Sequence, residues 1–217
     1  MGGMAENALQ RTIAKRNYPC VAARTALAKN QIEFFIATDL RCPAQDADIL
    51  NKIYEFIARY IKKKTLYSSL VVSFPATPEQ EEIAFEGAMW RRLQGLHELD
   101  RTHYAWDKKV SSDPASSNFG LSLGGQAFFV VGLHPRASRP ARRFESAALV
   151  FNLHDQFERL KETGKFAGLQ RAIRERDERF SGSVNPMLAD YGDASEALQY
   201  SGRNVEKKWK CPFHPVN

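Results

Sequence analysis

The sequence predicts an α+β (or α/β) fold, a single domain with a mixed sheet of about five strands flanked by helices. Three observations carry this. Helical patterns and short apolar runs are mixed along the chain without strict alternation. Residues 46–63 place Ile49, Ile53, Phe56, Ile57, Tyr60 and Ile61 at helical spacing. Short runs rich in apolar and β-branched residues, bounded by turn residues, recur where strands are expected.

In chain order, residues 6–16 read as a short polar helix. Pro19-Cys20 precedes Val21 to Ala28, a segment helix-forming by composition. Residues 32–37 are a strand. The helix over 46–63 ends in Lys62-Lys63-Lys64, where cations complement the helix dipole. Residues 66–74 form a strand centred on Leu70-Val71-Val72. Thr77-Pro78-Glu79-Gln80 reads as a helix start: Thr77 caps, Pro78 suits the first position and Gln80 completes a capping box. That helix passes Trp90 and Leu93 and reaches about Leu96 or beyond. Residues 111–117 are a loop and the clearest linker candidate. Two strands occupy 119–131, broken at Gly124-Gly125 by a hairpin turn. A strand covers 147–151, and helices cover 155–163 and 166–179. From Ser181 the segment 181–217 reads as largely irregular, punctuated by Asn185-Pro186, Tyr191-Gly192-Asp193 and Cys211-Pro212. There is no internal repeat, and 1–217 is read as one domain.

At 217 residues and 43% hydrophobic, the chain can bury a sizeable core. No apolar stretch approaches the length of a membrane span, and the N-terminus lacks a signal-peptide pattern. Three widely spaced cysteines do not make a disulfide framework. The expectation is a soluble cytoplasmic protein with free thiols, no membrane partner and an open possibility of a homo-oligomer. A net charge of +6 suits an acidic ligand. No nucleic-acid motif accompanies it, so a basic nucleic-acid-binding module is the lesser reading.

Two histidines stand out. His134 follows the run Ala127-Phe128-Phe129-Val130-Val131, and His154 follows Ala147-Ala148-Leu149-Val150-Phe151. If the two strands are neighbours, these matched positions suggest one metal or acid–base site. The plainer alternative is that each histidine bonds a loop. Neither a His-Glu-x-x-His nor a Cys-x-x-Cys pattern is present. Arg136, Arg139, Arg142 and Arg143 crowd the segment after His134. Their forks suit carboxylates or phosphates, or simply form a solvated surface. Cys20, just before a helix, faces free N–H groups that lower a thiol pKa, which suits a thiolate ligand or nucleophile. Its alternative is a small buried apolar residue. Cys211 is a second candidate, and Cys42 is ordinary loop. Residues 190–196 group three carboxylates that either bind a cationic amine or guanidinium or cap a helix. The cap suits Asp193, and Glu196 stays open. No Gly-x-Ser-x-Gly occurs, and Gly124-Gly125 lacks the rest of a phosphate loop.

The ordered set Tyr18-Pro19-Cys20, Gly132-Leu133-His134-Pro135 with Ser138-Arg139 and Arg142-Arg143, Phe151-Asn152-Leu153-His154-Asp155-Gln156-Phe157-Glu158, Ile173-Arg174-Glu175-Arg176-Asp177, Asn185-Pro186-Met187-Leu188, Ser195-Glu196-Ala197, Gln199-Tyr200-Ser201-Gly202-Arg203 and Cys211-Pro212-Phe213 resembles the YqcI/YcgG family. The resemblance runs from about Tyr18 to Phe213. Characterised members are haem-dependent N-hydroxylases, among them the arginine N-hydroxylase of D-cycloserine biosynthesis and the pre-guanitoxin N-hydroxylase. The resemblance therefore implies a b-type haem (haem b) with its iron, O2, an external electron donor, and hydroxylation of a guanidine or amine nitrogen on a small cationic substrate. It implies that the iron ligand is one of the motif histidines or cysteines. His154 is the preferred metal ligand, because Asp155 and the helix beginning there fix its loop, with His134 and Cys20 as alternatives. His134 then serves on the other haem face or in the pocket wall as a catalytic group. Arg139, Arg142 and Arg143 are the propionate candidates, and Glu196 is the anchor for the cationic substrate. Leu153 and Leu198 depart from the family pattern, and neither departure removes a ligand. A non-catalytic haem sensor or carrier is the alternative reading.

Overall fold

The computed structural model describes residues 2–183, 187 and 194–216. Its frame is a five-stranded mixed sheet in the order β1-β2-β5-β4-β3. The strands are β1 (Ile32–Ile36), β2 (Ser69–Phe74), β3 (Leu121–Leu123), β4 (Gln126–Leu133) and β5 (Ala147–Leu153). β1 and β2 run parallel, and the other neighbouring pairs are antiparallel. A parallel pair needs a crossover, and α3 (Asp46–Lys63) supplies it. The β3–β4 hairpin turns at Gly124 and Gly125, both left-handed at φ 60° and 68°. A side chain at Gly124 would collide with Ile57, its Cβ lying 2.7 Å from Cδ1.

Side-chain alternation divides the sheet into two unequal faces. Leu70, Val72 and Phe74 of β2, Leu149 and Phe151 of β5, and Phe128 and Val130 of β4 point to one side. There the apolar stripe of α3 and the buried Phe85, Met89, Trp90 and Leu93 of α4 (Glu82–Asp100) complete the main core. The other face carries Val71, Val131, Leu133, Ala148 and Val150. It is covered by α1 (Gly2–Ala14), α2 (Val21–Ala28), α5 (His154–Glu162) and α6 (Phe166–Ser181). This layer is under-filled: Val131 and Val150, at the centre of the sheet, are only half-buried. A full core would close over them, so the gap is built in.

The chain departs from the sequence-based expectations at several boundaries. α4 begins at Glu82 rather than near Pro78. Thr77 does not cap it; its Oγ1 accepts the Leu40 N–H at 2.7 Å, so a tertiary contact takes the hydroxyl. α1 starts earlier than residue 6, β2 starts at Ser69, and β5 continues to Leu153. Beyond α6, one short helix, α7 (Ala197–Tyr200), lies among the described residues. Asn185-Pro186 and Asp193 fall outside the described residues. No helix among the described residues is long and apolar enough to cross a membrane.

Candidate functional site

The under-filled layer encloses a cavity of about 380 Å³ between the sheet and its four covering helices. That is within the usual size of a small-molecule site. Its floor is apolar, from Val71, Val131 and Val150, and Leu160 and Ile173 face it from α5 and α6. Polar groups cluster towards two ends. Cys20, Arg139 and Arg142 stand towards the Leu133 end of β4, and Asn152, Gln156 and Glu196 towards the Ser69 end of β2.

His154 is the first residue of α5 and is buried. The next residue fixes its place: Tyr60 of α3 donates its hydroxyl to Asp155 Oδ2 at 2.6 Å. The His154 Nε2–H donates to Glu196 Oε2 at 2.8 Å. Gly120 makes room for the ring, since a Cβ there would lie 2.9 Å from His154 Cε1 and 3.2 Å from Nε2. Glu196 lines the cavity, whereas His154 lines a second, polar hollow with Asp107, Lys109 and Asn118. The pair thus stands in the partition between an apolar and a polar space. Glu196 directly precedes α7, yet its side chain does not cap that helix. Ser195 serves the turn instead, accepting the Ala197 N–H at 3.2 Å and donating to Pro114 O at 2.7 Å.

The two histidines do not share a site. Their strands are neighbours, as the matched runs require, but antiparallel, with Phe128 opposite Leu153 and Leu133 opposite Ala148. His134 and His154 therefore leave opposite ends of the strand pair, roughly 20 Å apart at about 3.3 Å per residue. His134 packs against α4, stacked on Phe85 with ring centroids 4.2 Å apart. Its Nδ1 is buried without a partner, and burial pushes its pKa below the ordinary histidine value. It does not line the cavity.

The arginines after His134 are structural before they are anything else. Arg139 pairs with Asp177 at 2.5 Å and donates to Ser183 O at 2.9 Å. Arg143 clips its own loop through Ala137 O at 2.8 Å and Ser138 O at 3.1 Å. Arg136 reaches Glu81 at 2.7 Å on the surface. Arg142 closes an edge that β3 is too short to cover. It donates to Gly132 O at 3.1 Å, Tyr200 O at 3.2 Å and Gln199 O at 2.9 Å. Desolvation lowers its pKa to about 10. Among the described residues it has no carboxylate within ion-pair distance, and Asp177 acts on it only from farther away, so it brings positive charge to the cavity wall. Arg139, Arg142 and Arg143, expected as free propionate donors, all have guanidinium groups already engaged within the protein.

Cys20 takes the expected place as the N-cap of α2, its sulfur accepting the Ala23 N–H at 3.3 Å. The expected fall in its pKa does not occur. Burial outweighs the backbone hydrogen bonds and the charge of Arg142, and the thiol pKa rises. The thiol nevertheless lines the cavity, and neither motif histidine does.

Gln156 is a site residue beyond those expected from the sequence. It lies two residues beyond His154 in the first turn of α5, inside a motif already singled out. It is buried in the cavity wall, donates Nε2–H to Ser68 O at 2.8 Å, and leaves Oε1 buried without a partner. A buried acceptor left unpaired costs about 1–3 kcal/mol. Among the described residues no group of three or more His, Cys, Asp or Glu side chains is placed to hold a metal ion by itself.

A profile of the YqcI/YcgG family matches residues 9–214. No curated protein and no solved structure matches the chain.

Proposed function

The chain belongs to the YqcI/YcgG family, and from that membership we propose that it is a haem-dependent monooxygenase hydroxylating a nitrogen of a small guanidine- or amine-bearing molecule. One observation supports this reading above the others: the Glu196–His154 pair is set into the wall of an apolar cavity that also presents Cys20 and Arg142.

The residues of the cavity fit a haem. Apolar walls suit a flat macrocycle, and the charge of Arg142 suits an acidic edge. Cys20 is the residue that would hold the iron. His154 is less suited than its motif implied, because its Nε2–H is directed at Glu196 and it faces the polar hollow. A thiol that coordinates a metal loses its proton outright, so the raised pKa of Cys20 adds a cost to ligation without forbidding it. The Ala23 N–H and the charge of Arg142 both favour the resulting anion. Bound there, the haem would supply the activation of O2 and the transfer of one oxygen atom to nitrogen, with electrons from an external donor.

The protein's own part is positioning and proton handling. The Glu196 carboxylate anchors a cationic head group in the cavity. His154 holds that carboxylate in place and passes protons to it from the polar hollow. The apolar walls exclude water from the reacting atoms. A haem carrier would have no need of such a pair, which is why catalysis is favoured over storage or sensing.

The test is an absorption spectrum of protein expressed with a haem precursor, followed by turnover of guanidine- and amine-bearing compounds. We expect a Soret band, and a product heavier by one oxygen atom only when O2 and a reductant are both supplied. Absence of haem absorption overturns the proposal. Haem without oxygen transfer overturns its catalytic part.

A further inference from the structure

We propose that Trp209 and the exposed lysines around it, Lys207, Lys208 and Lys210, form the docking surface for an acidic one-electron donor protein. Trp90, Tyr200 and Phe129 join that surface to the cavity. This rests on reading the cavity as the haem site.

The rings make a packed path through the molecule. Phe129 lines the cavity, and its ring meets Tyr200 edge-on with centroids 5.4 Å apart. Tyr200 stacks on Trp90 at 5.5 Å with 16° between the planes, and Trp90 lies 6.4 Å from Trp209. Tyr200 of α7 thus touches a residue of the cavity face and a residue of the main core. Its hydroxyl donates to Phe128 O at 2.8 Å and accepts the Leu121 N–H at 3.3 Å, which fixes the ring. Trp90 and Tyr200 are buried, and half-buried Trp209 brings the path to the surface.

Packing alone does not account for Trp90. Its indole N–H is buried with no acceptor, a cost that a phenylalanine would avoid. An indole stacked on a phenol and packed against a second indole suits electronic coupling. An electron crosses such contacts by tunnelling, so the rings themselves are not reduced.

The surface end carries the charge. A turn closed by the Trp209 N–H on Glu206 O at 2.8 Å leaves the indole packed on the core and the three lysines in solvent. Glu206, the acid of this stretch, is paired with Arg203 at 2.8 Å. Positive charge where such a path surfaces selects an acidic partner and speeds its encounter. Transfer of one electron at a time needs brief, repeated encounters, which small electrostatic interfaces provide. In each encounter one electron leaves the reduced iron–sulfur or flavin group of the partner and is taken up at the iron in the cavity. The partner is oxidised by one and the acceptor reduced by one. No bond breaks, and no proton travels along the rings.

The experiment uses the full chain loaded with haem and a plant-type iron–sulfur ferredoxin as the acidic probe. Affinity is measured by equilibrium titration at low and at physiological ionic strength, and haem reduction by stopped-flow absorbance. One variant combines Lys207→Glu, Lys208→Glu and Lys210→Glu. Its control combines Lys62→Glu, Lys63→Glu and Lys64→Glu, an equal change of charge on another exposed run. We expect the first variant to weaken ferredoxin binding about ten- to a hundredfold, with haem content and melting temperature unchanged. The control should bind as wild type does, and salt should weaken wild-type binding. Trp209→Met should bind ferredoxin normally and take electrons from it more slowly, while reduction by dithionite keeps its rate. A packing role alone would not separate the two reductants. Absence of ferredoxin binding to wild type overturns the proposal, as does equal weakening by the two charge reversals. Tighter binding of a duplex oligonucleotide than of ferredoxin to the same lysines also overturns it. An unchanged rate of reduction by ferredoxin in Trp209→Met overturns the path. Should Trp209→Met fail to fold, Trp209→Phe decides with the same two reductants: slowing confined to ferredoxin supports the path, and an unchanged rate overturns it. If wild type takes up no haem, the proposed function fails, and the same titrations on haem-free protein still decide the docking surface.

Discussion

His154 Nε2 and Glu196 Oε2 meet at 2.8 Å, one residue facing a polar hollow and the other an apolar cavity. Both side chains are nearly buried, at 8% and 12% exposure, so the pair is shielded from the screening that weakens surface ion pairs. The consequence is an asymmetry between the two partners. Glu196→Gln keeps an oxygen that accepts the Nε2–H but loses the charge. It is expected to lower turnover by about 10²–10⁴-fold while haem content holds. His154→Ala leaves a buried carboxylate without its hydrogen-bond donor, which costs about 1–3 kcal/mol or more. Urea unfolding of the two variants should therefore rank His154→Ala well below Glu196→Gln, whereas steady-state assays should show both impaired.

Gly120 offers a second way to test the same pair without touching either member. A methyl group there would come within 2.9 Å of the His154 ring and 3.2 Å of Val110 Cγ1. Gly120→Ala should push the imidazole off Glu196. The expected result is a fall in turnover comparable to that of His154→Ala, with a smaller loss of stability, because Glu196 keeps a displaced partner. Melting temperature and turnover measured together separate this from simple unfolding.

The elements were legible because their signals are local. α3 announces itself through the stripe from Ile49 to Ile61, and the β3–β4 turn through Gly124-Gly125. The relation between His134 and His154 depends on strand direction, which no local pattern encodes. The signal that bears on it is the connection: residues 134–146 carry Pro135 and Pro140 and no helical stripe, so they cannot supply the helix that a parallel crossover needs. Antiparallel strands put the two strand ends at opposite poles. Glu196 was visible as one of a group of carboxylates, but its partner is forty-two residues away in sequence, and only the packing of α7 along β4 brings them together. The arginines misled for a related reason. Charge in a sequence reads as surface or ligand contact, yet Arg142 spends its donors on the Gly132 carbonyl at an uncovered strand edge and on the Gln199 and Tyr200 carbonyls of α7.

His134 has a consequence for acid stability. Burial sets its folded pKa below the unfolded value of about 6.5. A group with a depressed folded pKa contributes fully above the unfolded pKa, and that contribution is lost as pH falls towards the folded one. His97 is shifted in the same direction by burial. Unfolding free energy should therefore decline as pH is lowered below about 6.5, by up to about 1.4 kcal/mol per pH unit for each histidine. His134→Phe preserves the stacking on Phe85 and removes the unpaired Nδ1. Denaturant titrations at pH 7.5 and pH 5.5 should show a smaller acid loss in that variant than in wild type. An unchanged loss would place the acid sensitivity elsewhere.

The three cysteines should separate by reactivity, and the separation bears on the iron ligand. Cys42 is exposed, whereas burial raises the thiol pKa of Cys20 and pushes that of Cys211 up to about 12. Since the thiolate is the reactive form, iodoacetamide at pH 8 should modify Cys42 first and leave Cys20 and Cys211 slow until denaturant is added. Peptide mass spectrometry reads the order directly. Rapid labelling of Cys20 in the folded, haem-free protein would mean that α2 and Arg142 outweigh burial after all. Haem then supplies the second half of the test. Cys20 lines the cavity and His134 and His154 do not, so Cys20→Ala should lose haem while His134→Ala and His154→Ala keep it. The carbonyl complex of the reduced protein should carry the signature of thiolate ligation. Retention of haem in Cys20→Ala with loss in His154→Ala would return the iron to the histidine, and would require α5 to turn the imidazole away from Glu196 when haem binds.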